Sequence, residues 1–322
     1  MSAMHHPGLQ RVALACLCLS AVYGYSVAQS FPARPVRIVA SDVGGGNDFA
    51  ARLIAQGLTA GLGQQVIVDN RGGIVGSQTV AKATPDGHTL LLQGSAMWLL
   101  PFMRDGVPWD PERDFAPITI ATSSPNVIVV HPSVPVQSVK DLIALAKAKP
   151  GGINYAVGGL GSTPHLAVEL FRSMAGIDMV LVNYKGGGAA FNDLIAGQVQ
   201  LMIPTAGAAS AHIRSGRLKA LAVTTAQPSA LTPGLPTVAA AVPGYEAVSS
   251  FGVFAPAGTP PAVINRLNAE IARVLGRPDV KERFLNAGVE TIGSSPQQLA
   301  AVVKSEMTRL GKLIRDSGIR AQ

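Results

Sequence analysis

The chain has 322 residues, of which 48% are hydrophobic and 14% charged, and its formal net charge is +7. That length and apolar content support a sizeable core and about two domains, and 35 glycines and 23 prolines with few aromatic residues suit a turn-rich α/β protein. The basic residues are scattered, without a cluster of five and without interleaved aromatics, which argues for solvated surface and against nucleic-acid binding.

Residues 1–28 read as an export signal to be set aside from the fold. Arg11 is its only charged residue, an apolar run follows over 12–22, and Ser26-Val27-Ala28 supplies small residues for cleavage before Gln29. The run is too short to span a bilayer. Cys16 and Cys18 both fall inside it, so the mature chain is expected to carry no thiol, disulfide or cysteine metal site.

The next stretch is chemically the most informative. Val36-Arg37-Ile38-Val39-Ala40 has the apolar character of a buried parallel strand. Phe49, Leu53, Ile54, Gly57 and Leu58 recur at helical spacing. Between them lie Asp42, the glycines Gly44-Gly45-Gly46, and Asn47 and Asp48, two residue types that favour helix N-caps. A strand, a glycine turn and a helix start leave free N–H groups at the positive end of a helix dipole, which suits an anion. The same glycines equally suit a plain tight βα turn.

Further strands are expected over 66–68 and 89–92, with a helix over 75–83 and a turn at Pro85-Asp86-Gly87. Pro101, Pro108 and Pro111 predict an irregular stretch over 98–114. Strands are expected over 118–122 and 127–130, then a helix opened by Ser138 with Asp141 three residues on. A second strand–helix rhythm follows. The strand at 153–157 leads into Gly158-Gly159-Leu160-Gly161-Ser162-Thr163-Pro164, with Ser162 or Thr163 as cap and Pro164 in the first turn. The strand at 180–184 leads into Lys185-Gly186-Gly187-Gly188. Strands at 199–203 and 218–223, with a helix over 207–215 between them, continue the pattern. Phe251 begins an extended segment before a proline-started helix at 261, and helices over 278–287 and 296–316 close the chain without strands between them.

Recognised catalytic patterns are missing. No glycine turn matches a dinucleotide or P-loop fingerprint, and no nucleophile elbow occurs. His88, His131, His165 and His212 have no paired metal spacing. Ser162 and His165, three residues apart at a helix start, read better as a cap and a packed or cleft-lining histidine than as nucleophile and base. Lys185 reads as surface or as an anion contact.

An ordered set of segments carries a resemblance. They are Gly44-Gly45 with Asp48 and Ala51-Arg52, Leu62-Gly63-Gln64-Gln65-Val66 with Asn70-Arg71, Val80-Ala81-Lys82-Ala83 with Pro85-Asp86-Gly87 and Thr89-Leu90-Leu91, and Phe115-Ala116-Pro117-Ile118. They continue through Pro125-Asn126-Val127, His131-Pro132, Gly161-Ser162-Thr163 with His165-Leu166-Ala167, and Tyr184-Lys185-Gly186. Val242-Pro243-Gly244-Tyr245-Glu246 and Phe254-Ala255-Pro256-Ala257-Gly258-Thr259-Pro260-Pro261 close the set. In these segments, spread over 31–320, the chain resembles the substrate-binding receptors of the tripartite tricarboxylate transporter family, the Bug receptors.

The resemblance implies an α/β, type II periplasmic-binding fold of two Rossmann-like lobes with an interlobe ligand cleft. Lobe one would be 31–130 plus 254–322 and lobe two 131–253, with crossings near 127–133 and 248–256. It implies capture of a small carboxylate (a di- or tricarboxylate, an aromatic acid or an amino acid) in the periplasm. Delivery to membrane permease subunits would follow, by a monomer without cofactor, metal or catalytic residue. The matching ligand positions are Gly45, Asp48, Ser95, Ser162, Thr163, His165, Tyr184 and Lys185, with Phe251 as a wall; Asp42, Asn47 and Gly161 adjoin them. Two alternatives stay open: a secreted hydrolase or lyase using Ser162 and His165, and a sensor that presents its ligand to a signalling protein. The chain also departs from the family pattern. Ala40-Ser41-Asp42-Val43 replaces a usual Pro-aromatic-x-Pro approach, the loop at 70–76 is about three residues shorter than usual, and Pro204 stands where an acidic residue is common. Asp42 or Asp48 beside an anion site implies acceptance of a ligand ammonium, hence a zwitterion such as an amino acid.

Overall fold

The computed structural model describes residues 31–40, 46–159, 162–184, 186–316 and 318–320. The expected export signal lies outside the described residues. Two sheets organise the chain. The first contains β1 (Val36–Ala40), β2 (Val66–Asn70), β3 (Thr89–Gln93), β4 (Phe115–Pro125), β10 (Val248–Pro256) and β11 (Glu290–Thr291), in the order β11-β4-β10-β3-β1-β2. β1 runs parallel to β2 and β3, while β10 is antiparallel to β3 and β4. β1 is buried on both faces, with Ile38 in one apolar cluster and Val39 in another, as the alternation of side chains along a strand requires.

On one face lie α1 (Gly46–Leu62) and α8 (Pro261–Gly276). Leu53, Ile54 and Leu58 of α1 and Leu267, Ile271 and Val274 of α8 are all buried, the helical spacing visible in the sequence. A Cβ placed on Gly57 would fall 2.4 Å from Val274 Cγ1, so the missing side chain lets the two helices approach closely. On the other face lie α2 (Gly73–Ala81), α3 (Ala96–Met103) and the terminal α10 (Pro296–Asp316).

α3 corrects an expectation. Its prolines predict irregular chain, yet Ala96–Met103 is helical with Pro101 inside it. The reason is local. Proline lacks the N–H that would bond four residues back, and the Met97 carbonyl so released accepts Trp109 Nε1 at 2.9 Å instead. Met97, Trp98, Leu99 and Met103 are buried, and that apolar face offsets the cost of the broken ladder. The two-residue strand β11, between α9 (Pro278–Asn286) and α10, is the other difference: Glu290 and Thr291 pair with Ser123 and Thr122.

The second sheet holds β5 (Val127–Val130), β6 (Asn154–Val157), β7 (Val180–Asn183), β8 (Leu201–Met202) and β9 (Lys219–Val223), in the order β7-β6-β8-β5-β9. Around it pack α4 (Val139–Ala148), α5 (Thr163–Ala175), α6 (Gly187–Ile195) and α7 (Ala206–Arg214). Ser138 caps α4 as its spacing predicts: its Oγ accepts Asp141 N–H at 3.1 Å, and Asp141 accepts Gln137 N–H at 3.0 Å.

The chain passes from β4 to β5 through Asn126, and it re-enters the first sheet at Val248. β5 therefore pairs in the second sheet and residues 248–253 in the first. Asn126 and Thr224 are fully buried where the two crossings meet. Asn126 Nδ2 donates to Ala247 O (3.2 Å) and its Oδ1 accepts Ser249 Oγ (3.1 Å). Asn126 N–H donates to Thr224 Oγ1 (2.9 Å), whose hydroxyl reaches Ala247 O at 2.5 Å. Nearby, a Cβ on Gly207 of α7 would sit 2.5 Å from Ala287 O, so backbone from the two sides touches there as well.

Asn126→Ala removes the polar tie between the crossings and leaves buried groups short of partners. Stability is expected to fall by about 1–3 kcal/mol, read as a lower urea midpoint at unchanged slope. A loss below roughly 0.5 kcal/mol, the range of ordinary surface substitutions, would contradict this account.

Candidate functional site

The C-terminal ends of β3, β6 and β7 each feed a turn and then a helix, the arrangement that gathers helix starts at one edge of an open sheet. In the first lobe the turn is Gly94-Ser95. In the second, Gly158-Gly159 leads to Ser162 and α5, and Gly186 leads to α6. Ser162 is the N-cap of α5: its Oγ accepts His165 N–H at 3.3 Å and donates to Gly159 O at 2.8 Å. Gly186 caps α6 at φ +141°, a conformation that favours glycine. A Cβ on Gly158 would lie 2.6 Å from Gly187 N, so the two glycine turns of this lobe touch.

The decisive contact crosses between the lobes. Ser95 Oγ and Thr163 Oγ1 are 2.8 Å apart, joining the start of α3 to the first residue of α5. Phe251 on β10 stands beside the first-lobe turns; a Cβ on Gly94 would sit 3.3 Å from its ring and one on Gly46 3.8 Å. Ser95, Ser162, Thr163 and Phe251 are thus brought to the turns where the sequence places them.

Other expected site residues take up protein partners. Asn47 and Asp48 lie within the first turn of α1 and are buried. Asn47 Nδ2 donates to Leu92 O at 2.9 Å, tying α1 to the end of β3. Asp48 accepts Asn70 Nδ2 at 2.8 Å and pairs with Arg52 at 2.9 Å, so its charge is matched inside the fold. Tyr184 Oη donates to Asp193 at 2.7 Å, and burial together with that carboxylate pushes the phenol up to about 12. His165 is buried, and burial holds its imidazole below the ordinary value although Glu169 lies 3.8 Å away. Glu169 also accepts Arg172 at 3.0 Å and the Tyr155 hydroxyl. Asp42, Gly45, Gly161 and Lys185 lie outside the described residues.

One residue the sequence did not single out adjoins the interlobe contact. Glu306 of α10 borders a small cavity shared with Ser95, Thr163 and Ala247. Its carboxylate accepts Trp98 Nε1 at 2.8 Å. Burial pushes the Glu306 carboxyl above its ordinary value, and Glu246 adds to the effect, while Trp98 and Arg309 oppose it. Arg309 also donates to Glu246 O at 2.9 Å. No motif in the sequence marks Glu306, because its partner is 208 residues away.

Comparison with known proteins agrees with this architecture. Residues 50–319 match the family described as tripartite tricarboxylate transporter family receptor, and the chain belongs to that family. A protein of Pseudomonas sp. strain P51, from the tcbD-tcbE intergenic region, is 39% identical over 298 residues, covering 91% of this chain and 89% of that one. Protein BugT of Bordetella pertussis is 36% identical over 300 residues, covering 91% and 92%. Among solved structures, R. palustris Rpa4515 with adipate superposes with a TM-score of 0.77 at 37% identity, covering 91% of this chain and 100% of that one. MatC from Rhodopseudomonas palustris with bound malate gives 0.74 at 28% identity, covering 88% and 100%. The expected two-lobed periplasmic-binding fold is therefore the fold of this chain.

Two outcomes follow from the contact and the acid behind it. Ser95→Ala and Thr163→Val should each weaken ligand capture by about 0.5–1.5 kcal/mol. The double variant should do little more than either alone. Additive losses in affinity would mean that the two hydroxyls act separately. Glu306 binds its proton more tightly in the fold than in the unfolded chain, so its stabilising contribution is complete below the ordinary carboxyl value of 4.5 and is lost as pH rises through the raised one. Glu306→Gln should flatten the loss of stability with rising pH, and an unchanged slope in urea midpoints would oppose this.

Proposed function

We propose that this member of the receptor family captures a small carboxylate between its lobes and hands it to membrane permease subunits of a tripartite transporter. Lobe one comprises 31–125 with 248–320, lobe two 126–247, and the crossings at Asn126 and Ala247 form the hinge. The Ser95–Thr163 hydrogen bond carries the reading, because it sets helix starts from opposite lobes face to face. Backbone N–H groups at the start of α6, together with that of Thr163 at the start of α5, offer a carboxylate charge-assisted hydrogen bonds at the positive ends of two helices; Pro164 has no N–H and that of His165 is held by Ser162. The adipate and malate named with two structural neighbours have the same chemistry.

The proposed role is binding without turnover. Ser162 Oγ contacts His165 through the backbone N–H and is already committed as a helix cap. Export to the periplasm and action as a monomer complete the proposal. Asp48 is matched by Arg52, so acceptance of a ligand ammonium falls to Asp42.

The experiment is a melting series with succinate, malate, adipate, benzoate, aspartate and glutamate, with each compound followed by NMR. At least one acid at a hundredfold excess over its Kd should stabilise the protein by about 2.7 kcal/mol and remain unconsumed. Preference for an amino acid that disappears in Asp42→Ala would support the ammonium role. Consumption of an acid, or no melting shift from any of them, would defeat the proposal.

A further inference from the structure

Beside the Ser95–Thr163 bond lies a cavity of about 10 Å³ that belongs to neither lobe alone. Ser95, Glu306 and Leu310 line it from lobe one, and Thr163, Leu166 and Ala167 of α5 line it from lobe two. That volume holds at most about one water. Glu306 is the acid at this seam. Its carboxylate accepts Trp98 Nε1 at 2.8 Å, and Trp98 is itself buried, so the acid is held against the core.

Its neighbours only partly support a negative charge. α3 gives it the indole N–H, while α5 brings no charged side chain to the cavity. Glu169 and Arg172 of α5 pair with each other, and His165 lies beside Glu169. On its own helix Arg309 favours the anion, and on the second crossing Glu246 opposes it. Arg309 is also spent on Glu246 O at 2.9 Å. An ionised Glu306 has therefore lost water that it regains when α5 moves away.

We propose that Glu306 is a pH-sensitive latch on the lobe seam: protonated, it lets α5 of lobe two pack over it, and ionised, it favours parting of the lobes. The latch rests on the proposed capture of a carboxylate between the lobes, and it adds proton uptake to closure. Burial holds the Glu306 carboxyl above its ordinary value of 4.5 in the described arrangement, where the lobes touch. Parting the lobes hydrates the acid and returns it toward that value. The proton is thus held more tightly with the lobes together, and acid favours closure. The bias is complete below 4.5 and is lost as pH rises through the raised value. A receptor built this way grips its ligand more firmly in acid surroundings.

The test compares the wild-type chain with Glu306→Gln. Glutamine is neutral at every pH and keeps an oxygen for Trp98 Nε1, so it stands for the protonated acid. Without ligand, the radius of gyration of wild type from small-angle X-ray scattering should grow as pH rises from 4.5 to about 8, and that of Glu306→Gln should stay compact. With malate and adipate as probes, calorimetry should show wild type losing at least about threefold in affinity over that range relative to the variant. Wild type should also take up protons on binding, seen as a heat that varies with the buffer, to an extent that Glu306→Gln does not match. Titration of the probe is common to both proteins and cancels in the comparison. A wild-type radius that ignores pH, a change that persists in Glu306→Gln, or equal affinity profiles would each overturn the latch. If neither probe binds, carboxylate capture is what fails, and the scattering comparison decides the latch by itself.

Discussion

Asn126 is the residue at which the chain exchanges one sheet for the other, and the returning strand is pinned beside it. Its side chain has both a donor and an acceptor, and the two are used on opposite sides of Ala247 and Ser249. An aspartate or a leucine of similar size would satisfy one end at most. The two crossings are thus tied at a fully buried point.

The helix starts around the cleft show how much of such a site is backbone. Ser162 spends its hydroxyl on capping, Gly186 supplies a conformation, and Gly158 supplies closeness to Gly187. Behind them, Glu169 of α5 holds Arg172 and Tyr155, and burial keeps the His165 imidazole below its ordinary value at the edge of that group. In the proposed reading the anion is met by backbone N–H groups, and specificity falls to shape and hydrogen-bond geometry.

Much of the fold was legible because apolar runs and helical spacing are local. β1, α1, α8 and the caps at Ser138 and Ser162 were each written in one short continuous stretch, the longest of them the 17 residues of α1. α3 was not, because its three nearby prolines predict breaks, and the repair comes from Trp109, 12 positions on. β11 was hidden because two residues carry no periodicity. Asn47 and Asp48 are residue types that favour helix N-caps, yet they sit inside the first turn with side chains spent on Leu92, Asn70 and Arg52. Glu306, and the bond between Ser95 and Thr163 across 68 residues, follow only from topology.

Pro101 shows how a defect in one hydrogen-bond ladder can set the shape of its surroundings. The carbonyl it releases at Met97 draws the indole of Trp109 against the helix, and the loop that carries Trp109 must follow. That anchoring stands a flat aromatic face along the open side of the helix. A regular helix with alanine at position 101 would share the same carbonyl with its own ladder and leave the loop held chiefly by the burial of Trp109 in the core. Sequence drift at one proline could thus remodel one wall beside the first sheet while leaving the ties at Asn126 and the Ser95–Thr163 contact in place.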